Sequence, residues 1–201
     1  MYDVIRHYDL LIDEGNDPVL DPPELAAYMD GWDGAYFLEQ LQLNGAQDVL
    51  EVGVGTGRLA LRTAPLCRRL MGIDVSPMTI ERAWQNLADV PNVHLVCADF
   101  LHWQPDERFD VVYSSLTFMH FPDKQRVADQ TARLLAPGGR AVISLDKDQS
   151  GVIVYGDRRV RVYPDDPQAM SACLERAGLQ VTSLQETERA HILTAVKGAE
   201  S

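Results

Sequence analysis

No stretch of this sequence approaches the roughly 20 consecutive apolar residues that a membrane span needs, so no membrane partner is expected. Cysteine is scarce. Cys67, Cys97 and Cys173 form an odd, widely spaced set in apolar contexts, which points to reduced core thiols rather than disulfides or a zinc site. The five histidines, at 7, 94, 102, 120 and 191, have no ligand spacing, and no metal is expected. Positive charge is also short: 18 Lys and Arg stand against 30 Asp and Glu. The resulting net charge of -12 repels phosphate backbones and anionic lipid, which argues against nucleic acid. Arg158, Arg159 and Arg161 are the tight basic cluster and read as a solvated hairpin edge. The start, Met1 to His7, has the pattern of neither a secretory signal nor a transit peptide, so a cytoplasmic location is expected.

What is present suits one α/β core: 201 residues, 46% of them hydrophobic. Residues 1–45 have their own texture. Asp21-Pro22-Pro23-Glu24 carries a helix start and predicts a helix to about Met29, and 35–43 reads as another, stopped by Asn44-Gly45. Tyr2, Tyr8, Tyr28, Trp32, Tyr36 and Phe37 crowd this segment, as expected of an N-terminal helical cap over something apolar. From Asp48 onward strands and helices alternate: strands at about 48–53, 69–74, 93–98, 109–114 and 140–145, with helices between them. Residues 152–163 read as a hairpin around Gly156-Asp157. A helix from Asp166-Pro167 ends at Gly178, and strands at 180–186 and 190–197 are too close in sequence for a parallel crossover.

The densest signal is Val49-Leu50-Glu51-Val52-Gly53-Val54-Gly55-Thr56-Gly57-Arg58, an apolar strand that breaks into alternating glycines. Such a turn at a strand's carboxyl end is where open α/β sheets bind ligands. A dinucleotide fingerprint starting at Gly53 would need glycine at 58, where Arg58 stands, and no P-loop Lys-Ser/Thr follows. The pattern resembles the first motif of the class I S-adenosylmethionine-dependent methyltransferases, among them the small-molecule quinone methyltransferases. The likeness covers roughly 46–197. It implies a Rossmann-like seven-stranded sheet with an antiparallel last strand, helices on both faces, a methyltransferase domain over 46–201 in one unit with the cap, and hairpin 151–163 over the site.

The resemblance also implies the cofactor, S-adenosylmethionine, with S-adenosylhomocysteine as product. Gly53, Gly55 and Gly57 would form the turn, Asp74 would hold the ribose hydroxyls, and Val75 would flank the adenine. Asp99 would accept from the adenine amine while the Phe100 amide meets a ring nitrogen. Glu51 would lie near the ammonium side of the methionine part. Ser114, with Ser115 behind it, is the candidate contact after the fourth strand. Tyr8, in His7-Tyr8-Asp9, would close over the cofactor or face the sulfonium, and Trp32 is a further candidate wall. His120 could serve as a general base, but its place just before Phe121-Pro122-Asp123 favours a packed histidine that orients the next helix; the catalytic residue is not legible, and His120 and Tyr8 are the only candidates for it.

These residues imply methyl transfer to a small organic acceptor by in-line displacement. A sulfonium already carries an activated methyl group, so alignment and exclusion of water are the protein's main tasks. The alternative is a non-catalytic regulatory module that binds S-adenosylmethionine or S-adenosylhomocysteine without turnover. A nicotinamide oxidoreductase lacks its glycine spacing here. A monomer or a homodimer is expected.

Overall fold

The computed structural model describes residues 2–199, with side chains from residue 4. Tyr2's side chain and residues 1, 200 and 201 of the two expected regions lie outside it. Nine strands and seven α-helices follow one another among the described residues. The cap holds α1 (Tyr2–Asp13), α2 (Pro23–Asp33) and α3 (Ala35–Leu41). Then come β1 (Asp48–Val52), α4 (Arg58–Thr63), β2 (Arg69–Asp74), α5 (Pro77–Asn86), β3 (Val93–Cys97) and β4 (Phe109–Ser115). The remainder is α6 (Lys124–Leu134), β5 (Leu135–Asp146), β6 (Val152–Tyr155), β7 (Arg158–Arg161), α7 (Pro167–Arg176), β8 (Leu179–Glu186) and β9 (Ala190–Lys197).

Seven strands form one sheet in the order β3-β2-β1-β4-β5-β9-β8, and β6-β7 is a separate hairpin. β1 to β5 pair in parallel, while β9 runs antiparallel to both β5 and β8, so the reversed last strand is present. Strand alternation divides the core. Leu50, Val52, Met71 and Val112 meet α6 and α7 through Val127, Ala128, Met170 and Leu174. Val49, Leu70, Val111 and Tyr113 meet Phe37, Leu59 and Ile80 on the other face.

Three elements differ from the reading above. α1 was not expected, although Val4, Ile5, Tyr8, Leu11 and Ile12 recur at helical spacing. α2 runs past Met29 to Asp33 because Gly31 is accommodated inside it. β5 begins at Leu135 rather than 140, since the Pro137-Gly138-Gly139 segment stays beside β4 with an irregularity between Phe109 and Val111. Cys97 is also exposed, on the edge strand β3, rather than in the core.

Acids fasten the cap to the sheet domain. Asp9 accepts from Ser76 Oγ (2.7 Å) and the Met78 amide (3.3 Å) at the start of α5. Asp17 is buried and accepts from Asn86 Nδ2 and Arg82, and Asn86 in turn donates to the Thr56 carbonyl of the glycine turn. Asp30 pairs with Arg62 and Asp33 with Arg58, both on α4. Part of the chain's negative charge thus works inside the fold. The hairpin sits against the cap: Arg158 makes a two-pronged pair with Glu14, just past α1 (2.6 Å each), Tyr155 meets the His7 ring edge-on, and residues 151–163 do not line the cavity at the carboxyl ends of the strands. No described helix is long and apolar enough to cross a membrane.

Candidate active site

The carboxyl ends of β1, β2, β3 and β4 open into one cavity of about 200 Å³, closed on the other side by Val4, Tyr8, Pro18, Met29 and Asp33 of the cap. Glu51, Gly53, Gly55, Asp74, Val75, Asp99, Phe100, Tyr8 and His120 all line it. The residues proposed from scattered motifs are therefore brought to one place.

The glycines have different tasks. Gly53 has φ +78° and a Cβ there would lie 2.0 Å from Thr117 Oγ1, so this glycine permits close packing of the turn on the loop after β4. Gly55, at φ +57°, faces open space within the cavity: a Cβ would meet no protein atom within 4 Å. Gly57 does not line the cavity. Its φ of +99° starts α4, and a Cβ would press on Leu87 at 2.8 Å, so its role is packing.

Asp74 Oδ2 accepts the Gly55 amide and Oδ1 the Ser76 amide, each at 3.0 Å. Burial raises its pKa against the pull of these amides. Each carboxylate oxygen retains a lone pair, enough for a vicinal diol. Asp99 is arranged alike, with the Leu101 amide on Oδ1 (3.0 Å) and the His102 ring on Oδ2 (2.9 Å).

Two expected contacts are displaced. Ser114 is buried and donates to the Val52 carbonyl of β1 at 2.9 Å, away from the cavity. Strand alternation places Ser115 there instead, and its hydroxyl donates to Asp33 at 2.7 Å. Trp32 is no wall of the cavity: its indole N–H donates to Asp146 (3.1 Å) and its carbonyl accepts from Ser144, so it pins α2 to β5. Asp33 was missed. It is wholly buried between Arg58 (2.5 Å) and Ser115, and its Oδ1 has no hydrogen-bond partner among the described residues.

Glu51 is buried beside Asp33 and accepts from Tyr113 Oη at 2.7 Å. Burial pushes its carboxyl up to about 8; Tyr113 and Arg58 oppose this, while Asp33 and Asp74 add to it. Folding therefore binds a proton that the unfolded chain has released. The stability from this group is full below the ordinary 4.5 and is lost as pH rises through about 8. Glu51→Gln cannot ionise, so its melting temperature should gain on wild type between about pH 5 and about pH 9. A constant difference across that range would show that Glu51 keeps an ordinary pKa.

A family model described as a methyltransferase domain matches residues 50–143, the stretch from within β1 into β5. The chain belongs to the class I S-adenosylmethionine-dependent methyltransferases. Among curated relatives, the methyltransferase of Amycolatopsis mediterranei named for 27-O-demethylrifamycin SV is 32% identical over 164 residues, 74% of this chain and 60% of that protein. The malonyl-[acyl-carrier protein] O-methyltransferase 1 of Ilyobacter polytropus is 31% identical over 100 residues, 48% of this chain and 37% of that protein. The chain thus spans about a third to three fifths of the length of such relatives. In the solved complex of DhpI with S-adenosylhomocysteine the fold is shared at a TM-score of 0.75 and 21% identity, over 100% of this chain and 97% of that one.

The methyltransferase cofactor fits this cavity on two structural grounds. Gly55 leaves a cradle that a side chain would fill, and Asp74 holds the turn open while keeping acceptor capacity. Gly53, Gly55, Asp74, Val75, Asp99 and Phe100 are the residues that would hold it.

Proposed function

We propose that this protein transfers the methyl group of S-adenosylmethionine to a small organic acceptor. The observation that carries the reading is the convergence of Gly55, Asp74 and Asp99, each at or just past the carboxyl end of a different strand, on one cavity. When bound, S-adenosylmethionine supplies an activated methyl group and a neutral thioether leaving group. The protein's residues then act by placement: Asp74 and Asp99 fix the nucleoside, and Glu51 and Asp33 set a polar end to the cavity. The cap excludes water, so that an in-line approach is held rather than sampled. The relative named for 27-O-demethylrifamycin SV supports a small acceptor, as does a net charge that opposes nucleic acid.

Isothermal titration with S-adenosylhomocysteine tests the cofactor. Saturable one-to-one binding is expected, and no detectable heat up to millimolar ligand would sink the reading. Methyl consumption with a panel of phenols, amines, thiols and carboxylates then separates an enzyme from a module that only binds.

A further inference from the structure

Tyr8 and His120 meet inside the cavity, and methyl transfer to a protonated nucleophile leaves a proton that has to go somewhere. Tyr8 Oη lies 2.9 Å from Nε2 of His120, the two rings sit edge-on with centroids 5.5 Å apart, and both side chains line the cavity. The pair is held from two directions. Asp9, next to Tyr8 in α1, anchors that helix to Ser76 and Met78. The short turn Phe118–His120 is tied down by Lys124 Nζ, which donates to the carbonyls of Phe118 and Tyr163 at 2.8 Å each. The Tyr163 amide adds a bond to the Met119 carbonyl at 2.7 Å. A histidine that merely packed would not need its polar edge turned to a cavity-lining phenol.

We propose that Tyr8 and His120 form a proton relay facing the acceptor, and that the acceptor is a neutral molecule bearing a hydroxyl, bound against the apolar surface of Val4, Met29, Leu116 and Phe121. This rests on the methyl-transfer reading above. The lone pair of the acceptor oxygen forms the C–O bond as the C–S pair returns to sulfur. The proton on that oxygen passes to Tyr8 Oη while the tyrosine's own proton passes to Nε2 of His120. The positive charge that leaves sulfur reappears on the imidazole ring, so the net charge of the cavity does not change.

His120 suits the end of such a relay because it is neutral. Burial pushes its pKa down to about 4, and His7 on α1 and Lys124 on α6 act in the same direction. Tyr8 faces Asp74 at the end of β2, and burial with this charge raises its own pKa, so Tyr8 passes a proton on rather than standing as a phenolate. A weak base is sufficient. An oxygen that has gained a methyl group while still protonated is a strong acid, and its proton moves downhill to an imidazole even of low basicity. The relay also requires one tautomer: Nε2 accepts from Tyr8, so the ring hydrogen is on Nδ1.

The test has two arms, run on protein whose binding of S-adenosylhomocysteine has first been confirmed by calorimetry, since absent binding is a failure of the methyl-transfer reading and not of the relay. In the first arm, nitrogen NMR of histidine-labelled protein with S-adenosylhomocysteine at neutral pH should show His120 neutral with hydrogen on Nδ1. Tyr8→Phe should shift the Nε2 signal. An imidazolium, or hydrogen on Nε2, overturns the relay whatever the activity.

In the second arm, methyl transfer is compared between a phenol series and thiocyanate, which carries no proton to lose. Tyr8→Phe and His120→Gln should lower the phenol-to-thiocyanate rate ratio by about 100-fold or more, a ratio that cancels any change in cofactor binding. An unchanged ratio overturns the proposal, as does wild-type transfer to thiocyanate with none to any phenol.

Discussion

Replacing Asp74 with alanine is expected to weaken S-adenosylhomocysteine binding by about 100-fold while leaving the protein folded. Two hydrogen bonds from a ribose diol to an ionised carboxylate are worth roughly 1.5 kcal/mol or more each, which gives about two powers of ten in affinity. The same carboxylate organises the site before any ligand arrives, because it holds the amides of Gly55 and Ser76 at 3.0 Å. Stability should change little, since removing the group also removes the burial cost that raises its pKa. Asp74→Asn keeps one acceptor oxygen and should fall between wild type and alanine. Calorimetry gives the affinities and thermal melting the stability. An Asp74→Ala protein that binds as wild type does would remove the ribose assignment.

Gly53→Ala and Gly55→Ala should fail in opposite ways. At Gly53 the new methyl group would press on Thr117, a β-branched side chain whose hydroxyl is already committed to the Ser115 carbonyl at 3.0 Å. Left-handed backbone adds about 1–2 kcal/mol and overpacking about 1–3 kcal/mol. The melting temperature should drop by about 5–15 °C for a chain of this size. At Gly55 only the backbone strain applies, since the methyl group would meet no protein atom, but it would occupy cofactor space. That protein should melt within a few degrees of wild type and lose most of its affinity for S-adenosylhomocysteine. The reverse pattern, a stable Gly53→Ala or a Gly55→Ala that binds normally, would contradict the placement of the glycine turn.

The features legible in the sequence were those whose cause is local. Gly53, Gly55, Asp74 and Asp99 sit at strand ends, and the alternation that ends a strand is written in a few adjacent residues. The reversed β9 was legible for a similar reason: three residues cannot cross a sheet. Ser114 and Ser115 show the limit, because a one-residue difference in where β4 ends exchanges the two faces and with them the two hydroxyls. Asp33 was beyond reach. Its partner Ser115 is 82 residues away, and nothing near Asp33 marks it as more than the last acid of a helix. The hairpin was legible from its Gly-Asp turn, but its seat against the cap was not, since that depends on Arg158 meeting Glu14 across 144 residues. α1 itself left a period in Val4, Tyr8 and Leu11 that no cap residue announced.

The position of β9 bears on how the chain can be made. β9 follows β8 in sequence, yet it is β8 that lies at the rim; β9 is wedged between β5 and β8, so β8 reaches the sheet only through it. During synthesis β5 therefore waits with its outer edge bare, along a segment that includes Ala141, Val142, Ile143 and Leu145, until residues 190–197 have left the ribosome. An unpaired apolar edge is a template for other chains. The vulnerable interval in this protein's life is thus the time needed to make the residues between Asp146 and Ala190, and that stretch of synthesis is when an extended apolar strand is open to other chains.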